Sequence, residues 1–405
     1  MEQFIEVLQW VFPPQAERIP ITPANSSIVS SLPWLPFTLA AFLSRMRNTE
    51  LLRAAIIPVA PFIALRAAYG YVYTEPTTNW YNWISGMLSI YAVARTIEFC
   101  VARPGRLRVC EKELPAKFKV GDVNDMLCSG RGFGWDFGTG AGLIVPKNTK
   151  PLDRRAYFWA TVRTFIINFF FFDLLESLVK LSPSAATPAG GTIFLPELPP
   201  LQRYLFSTAV HVMTGMTFVT GFTAMHELCA FIDVFILGHS PEDWPPLFDS
   251  PWASASVSEF WSRRWHQTMR PAFLDLGGYP LQWLLSPFGK DARRLGLVMG
   301  TFLASGFLHD FGMWNIQREF YPDALYFFGA QGAAVCLEYI YYRVTGRKVG
   351  GWVGMLWAYA FVVVGGQPMI NGWHMRGIGN GVVWPPHLSP ARQLLFPAVR
   401  RLIAH

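Results

Sequence analysis

The 405-residue chain is short of charge: Asp, Glu, Lys and Arg make up 15% of it, where a soluble globular domain carries about 25%. It is also short of cysteine, with five residues (100, 110, 128, 229 and 336) scattered along the chain. That odd, irregular set supports neither a disulfide framework nor a zinc site. Residues 1–13 contain an acidic Glu2, no basic opening and no small-residue cleavage site, so the first apolar span is expected to serve as the targeting signal in place of a cleaved peptide. There is no internal repeat and no long disordered tail. Basic residues are not interleaved with aromatics as a nucleic-acid platform requires, so nucleic acid is not an expected partner.

What is present is apolar. Hydrophobic residues make up 52% of the chain and aromatics 16%, with a mean hydropathy of +0.25. Runs near 32–47, 51–70, 80–98, 156–181, 204–237, 292–312, 324–343 and 350–370 approach the ~20 residues needed to cross hydrocarbon. The expected fold is therefore all-α, a polytopic membrane bundle of about eight transmembrane helices. The 204–237 run is too long for one perpendicular crossing and must tilt, bend or project. Stretches 277–289 and 391–403 are too short to span and suit the interface. Residues 1–30 read as a lumenal N-terminal segment and 31–405 as one multi-pass domain. A polar insertion falls at about 99–155, and 182–203 is a loop.

The sign of charge gives an orientation. Arg95, Arg103, Arg106, Arg108, Lys112, Lys117 and Lys119 cluster before one span, followed by Lys147, Lys150, Arg154 and Arg155. Arg263, Arg264, Arg270, Lys290, Arg293, Arg294, Arg343, Arg347 and Lys348 mark two further basic segments. The alternate segments, 71–79, 182–203 and 371–390, are poor in Lys and Arg. By the positive-inside rule the basic set faces the cytosol and the N-terminus the lumen. The sequon Asn25-Ser26-Ser27 agrees. Arg392, Arg400 and Arg401 then fall on the lumenal side, against the rule. A net charge of +7 concentrated in cytosolic loops suits anionic lipid headgroups or a phosphorylated ligand.

Two histidines are the candidate chemistry. His309 lies inside the apolar run 295–313, and an ionisable group at membrane depth is read as functional by default. A neutral imidazole can accept an alcohol proton near neutral pH. The competing reading is a structural histidine bonded to a backbone carbonyl. Asp310, one residue on, points about 100° away on a helix, which argues against a Ser-His-Asp style pair. The cluster Arg263-Arg264-Trp265-His266 fits phosphate recognition at a cavity entrance, and equally the Arg and Trp content of a cytosolic interface.

Other patterns are weaker. The glycine-rich stretch 130–140 lacks the strand-to-helix setting and Gly-Lys-Ser/Thr ending of a nucleotide loop, and reads as a structural turn or a CoA loop. His226-Glu227 lacks a second ligand at Ala230. Asp173 and Glu176, one turn apart, are expected to pair with Arg163 or another base, or to touch substrate. His211, His374 and His387 are expected at interfaces or in loops. The run Phe169–Phe172 faces lipid or core.

Phe260-Trp261-Ser262-Arg263-Arg264-Trp265-His266 resembles the Phe-Trp-Gly-Arg-Arg-Trp signature of plant wax synthases and their fungal relatives, within the membrane-bound O-acyltransferases. In that family an Asn or His follows the second Trp, and a His stands in an apolar helix some tens of residues later. Here Ser305-Gly306-Phe307-Leu308-His309 fits that second pattern. Arg131-Gly132-Phe133-Gly134-Trp135 resembles an Arg-Gly-Ile-Gly-Trp stretch of fungal members. Ser262 departs from the usual Gly, and His266 follows the fungal rather than the plant choice.

The resemblance implies an acyl-CoA-dependent O-acyltransferase of the endoplasmic reticulum membrane, working in a reaction tunnel. It makes His309 the base and gives His266 a role at the thioester oxygen or in orienting the acyl group. Arg263, Arg264, Trp265 and Arg131 become candidates for CoA contact. Acyl-CoA would be a cosubstrate rather than a resident cofactor, with acetyl-CoA favoured, and the acceptor a hydrophobic terpenoid-type alcohol of secondary metabolism. A long-chain wax ester synthase is the alternative within the class. A multi-pass transporter or lipid-binding protein without chemistry is the alternative outside it.

Overall fold

A computed structural model describes residues 2–117, 120–138, 142–144, 146, 149–185 and 187–403. Lys119, Lys147 and the end of the glycine-rich stretch (139–140) lie outside the described residues. The chain divides into two compact units, one formed by residues 1–143 and 267–346, the other by 144–266 and 347–405.

In the first unit the long helices are Asn79–Val101, Lys290–Gln317 and Asp323–Thr345. None contains proline, so each backbone ladder runs unbroken. Arg318 and Gly346 end the last two in left-handed conformations, the usual device for closing a helix C-terminus. Two glycines of Lys290–Gln317 set its neighbours. A Cβ at Gly312 would stand 2.7 Å from Met87 Cγ and 2.9 Å from the Trp83 carbonyl oxygen. One at Gly306 would stand 2.6 Å from Leu325 Cα. The helix thus meets Asn79–Val101 and Asp323–Thr345 almost backbone to backbone, at points six residues apart in sequence.

Buried polar groups fix the register of these contacts. The Asn315 amide donates to the Asn82 carbonyl at 2.8 Å and to that of Ala68 at 3.2 Å, while its oxygen accepts from Arg18 at 2.9 Å. The Tyr71–Val72 strand pairs in parallel with Ile19–Pro20, drawing the N-terminal segment in. At the end of the helix Trp34–Ser44, Arg45 is 1% exposed and pairs with Glu111 and Asp122 of the polar insertion, each at 2.7 Å. Arg95, also buried, pairs with Glu98 and lies 4.4 Å from the Phe137 ring centre. These bases are structural ties, since a buried guanidinium is tolerable only when paired.

In the second unit Arg154–Val179 packs along Pro200–Phe231. The latter continues through a π-helical turn, Ile232–Ile236, making 37 residues from Pro200 to Ile236. At 1.5 Å per residue that is about 55 Å, against ~30 Å of hydrocarbon, so the excess length read from the sequence is real. Glu176 pairs with Lys180 and Arg392, and Asp173 accepts from the Ala391 amide at 2.7 Å. The partners of this acidic pair therefore come from the helix end and the C-terminal segment. His374 is 1% exposed and bonds Ser184 Oγ through Nδ1 at 3.0 Å. It pins the 182–193 loop rather than lying in one. His211 also sits within the long helix.

Among the described residues, five stretches are helices long and apolar enough to cross a membrane: Glu50–Tyr69, Pro76–Val101, Pro200–Ile236, Lys290–Gln317 and Gly351–Met375. Of the other three expected spans, Trp34–Ser44 is an 11-residue helix. Arg154–Val179 carries Arg163, Asp173 and Glu176 within it, and Asp323–Thr345 is rich in tyrosine with Gln331 and Glu338. Polar content, not shortness, separates these two from the five.

Candidate active site

His309 lies midway between Gly306 and Gly312 on one helix, three residues from each. Positions three apart share a face, so the two close approaches that glycine permits bring both neighbouring helices up to this side chain. Its ring is half-buried between Phe328, at 4.9 Å between centroids, and Trp83, at 6.3 Å. Nδ1 stands 2.7 Å from the Ser305 carbonyl oxygen. A carbonyl only accepts, so Nδ1 carries hydrogen, and in the neutral ring the lone pair sits on Nε2. The carbonyl bond foreseen for a purely structural histidine is present. It also sets the tautomer that a general base needs.

Asp310 is engaged elsewhere. Its carboxylate accepts from the amides of Ala324 at 2.9 Å and Leu325 at 2.8 Å, capping the first turn of Asp323–Thr345. Negative charge there meets both the orphan amides and the positive helix end. This is why Asp310 serves helix docking rather than the imidazole.

Arg131 belongs to the same unit. It is 6% exposed, lies 4.4 Å from the Phe133 ring centre, and burial pushes its pKa down to about 9. Gly132 and Gly134, both with positive φ, fold the surrounding stretch into a tight turn, and Trp135 inside it is fully buried. The structural-turn reading of this stretch accounts for Gly132 and Gly134.

In the second unit Phe260–Arg264 form one π-helical turn, a form often found at functional sites. Trp265 stacks on Phe260 at 5.3 Å and meets Phe248 edge-on at 5.2 Å. His266 follows, half-buried, with the rings of Phe222 and Phe248 edge-on at 5.4 and 5.6 Å. Arg264 bonds the Glu259 carboxylate at 2.7 Å and the Asp249 carbonyl at 2.9 Å. Arg263 is half exposed and pairs with Asp249 at 3.0 Å. Arg264 thus holds its own loop, while Arg263 presents its charge at the surface.

The structure places Arg263, Arg264, Trp265 and His266 at the end of one π-helical turn and just after it in the second unit, and His309 and Arg131 in the first. It also shows groups that sequence reading passed over. Trp83 and Phe328 come from helices distant in sequence. Asp275 hydrogen-bonds Glu98, and its pKa is pushed up to about 7, first by burial and then by that carboxylate. His226-Glu227 is accounted for structurally: Glu227 pairs with Lys150, and the His226 ring lies 5.1 Å from Trp244.

These features define a helical membrane protein with a histidine of fixed tautomer at the meeting of three helices. Residues 244–329 match the model of the membrane bound O-acyl transferase family. It is 26% identical over 232 residues to an O-mevalon transferase of Aspergillus niger, a match covering 51% of this chain and 50% of that protein. It is 27% identical to an acetyltransferase of Rhodocybe pseudopiperita, over 58% of this chain and 61% of the relative. It is 31% identical to a probable long-chain-alcohol O-fatty-acyltransferase of Arabidopsis thaliana, over 31% and 38% respectively. The chain spans about half the length of the curated relatives it matches.

Proposed function

We propose that this protein transfers an acyl group from acyl-CoA to the hydroxyl of a hydrophobic alcohol, with acetyl-CoA as donor and a terpenoid-type secondary metabolite as acceptor. The observation that carries the reading is the Nδ1 bond of His309 to the Ser305 carbonyl at 2.7 Å. It orients Nε2 to take the hydroxyl proton. The alcohol oxygen then attacks the thioester carbonyl carbon, the carbon–sulfur bond breaks, and the CoA thiolate recovers a proton from the imidazolium. General-base assistance of this kind contributes about 10²–10⁴ in rate.

His266 is assigned a hydrogen bond to the thioester oxygen, a place where a preorganised donor stabilises developing charge. Arg263, Arg264, Trp265 and Arg131 are assigned to CoA. The similarity to an acetyltransferase of Rhodocybe pseudopiperita supports the acetyl donor. The proposal includes eight crossings, a reaction tunnel, residence in the endoplasmic reticulum and a lumenal N-terminus.

The test uses microsomes bearing the wild-type chain or His309→Ala, with radiolabelled acetyl-CoA and a panel of hydroxylated terpenoids and fatty alcohols. Ester formed by the wild type and lost in an equally expressed variant supports both reaction and base. Ester formed only from palmitoyl-CoA and fatty alcohols replaces the proposal with wax synthesis. Undiminished ester in the variant removes His309 from the mechanism. No ester with any pair favours a transporter or lipid-binding protein.

A further inference from the structure

Within the second unit a cavity of about 230 Å³ is lined by Ser177, Lys180, Leu181, Arg392, Phe396, Pro397 and Arg400. Three of these side chains are cationic and three apolar. The carboxylates behind it are Glu176, which takes both Lys180 and Arg392, and Asp173, which accepts the Ala391 amide. Ser177 Oγ accepts from Arg392 Nε at 2.9 Å and is itself buried, which fixes the guanidinium at the cavity wall. Arg400 adds its charge from the last helix, Phe396–Ile403, with Arg401 beside it.

We propose that this cavity binds the phosphate of an anionic membrane lipid. Three observations select a lipid over a soluble ion. The apolar part of the lining is Leu181, Phe396 and Pro397, suited to a glycerol backbone and the head of an acyl chain. The same C-terminal segment exposes Leu394, Leu395 and Val399, an apolar face suited to the membrane interface. Two of the bases, Arg392 and Arg400, are also ones that the orientation expected from the sequence leaves against the positive-inside rule; a bound anionic headgroup would supply their counter-charge. Lys180 and Arg400 offer ammonium and guanidinium donors to phosphate oxygens, while Arg392 is already oriented by Ser177. This site is independent of the proposed acyl transfer, and binding is read without turnover.

The full-length protein, purified in a mild detergent, is titrated with dihexanoyl phosphatidic acid, dihexanoyl phosphatidylcholine and inorganic phosphate. Binding is followed by native mass spectrometry and by the thermal midpoint. Phosphatidic acid is expected to remain bound and raise the midpoint, with phosphatidylcholine at least tenfold weaker. Arg400→Gln, at an exposed position, is expected to weaken phosphatidic acid about tenfold without moving the lipid-free midpoint. Lys180→Gln is the second variant and should act in the same direction. Equal binding of both lipids overturns the proposal, as does wild-type affinity in both variants. Inorganic phosphate matching phosphatidic acid replaces the lipid with a free anion.

Discussion

The imidazole of His309 is tied through Nδ1 to the carbonyl of Ser305, one turn earlier on the same helix, at 2.7 Å. The acceptor is main chain, so the bond does not depend on what side chain residue 305 carries. Ser305→Ala should therefore keep ester formation within about threefold of wild type. His309→Ala should lose about 10²-fold or more, the scale of a missing general base. Parallel loss in both variants, at equal membrane abundance, would mean that the Ser305 hydroxyl matters and that the tautomer argument is incomplete.

Asp310 and the amide of Leu325, 2.8 Å apart, make a different kind of contact, one that joins two helices. Asp310→Ala leaves two amides of the Asp323–Thr345 first turn without their acceptor. A lost cap costs about 1–2 kcal/mol, and the thermal midpoint should fall accordingly. Activity per folded molecule should fall far less than in His309→Ala. A variant that is stable yet inactive would return Asp310 to a catalytic role.

Much of this was legible in the sequence because periodicity and charge report on local events. The helices carrying His309 and Trp83 are long, apolar and free of proline, and the excess length of 204–237 was visible by counting. Asp310 was separated from His309 by helical geometry alone. What the sequence could not show depends on contacts between distant segments. Nothing local distinguishes Gly306 and Gly312 from helix-weakening glycines until Leu325 and Met87 are seen against them. The ties of Arg264 to Glu259 and Asp249 were not legible, because these partners come together only once the π-helical turn forms. His374 was expected at an interface or in a loop, and its buried bond was not legible because Ser184, 190 positions away, supplies it. Asp173 and Glu176 announced a partner by their depth, but only folding shows the C-terminal segment meeting them.

Arg263 and Arg264 are adjacent and should nonetheless behave differently. Arg263→Ala removes a half-exposed charge whose pair with Asp249 contributes less than about 1 kcal/mol, as surface ion pairs do. If it contacts CoA phosphates, the variant should raise KM for acyl-CoA several-fold with kcat and thermal midpoint nearly unchanged. Arg264→Ala should lower the midpoint, because the Glu259 carboxylate and the Asp249 carbonyl lose their common donor. Unchanged KM in Arg263→Ala would exclude that residue from donor binding.

The hydrogen-bonded carboxyls of Asp275 and Glu98 predict a pH dependence of stability. Burial, followed by Glu98, pushes the Asp275 pKa from an ordinary 3.8 up to about 7. Between these values the folded chain keeps a proton that the unfolded chain has lost. Stability therefore falls as pH rises from about 4 to about 7, with the full cost present above that window. The segment holding Asp275 packs against the His309 helix, where a Cβ at Gly277 would meet the Gly300 carbonyl oxygen at 2.2 Å. Asp275→Asn removes the titration while keeping the shape. Its thermal midpoint should exceed that of wild type at pH 8 and converge with it near pH 4.5. Midpoints that run parallel across the range would show that Asp275 is already ionised in the folded protein, with Arg95 and Arg106 outweighing burial.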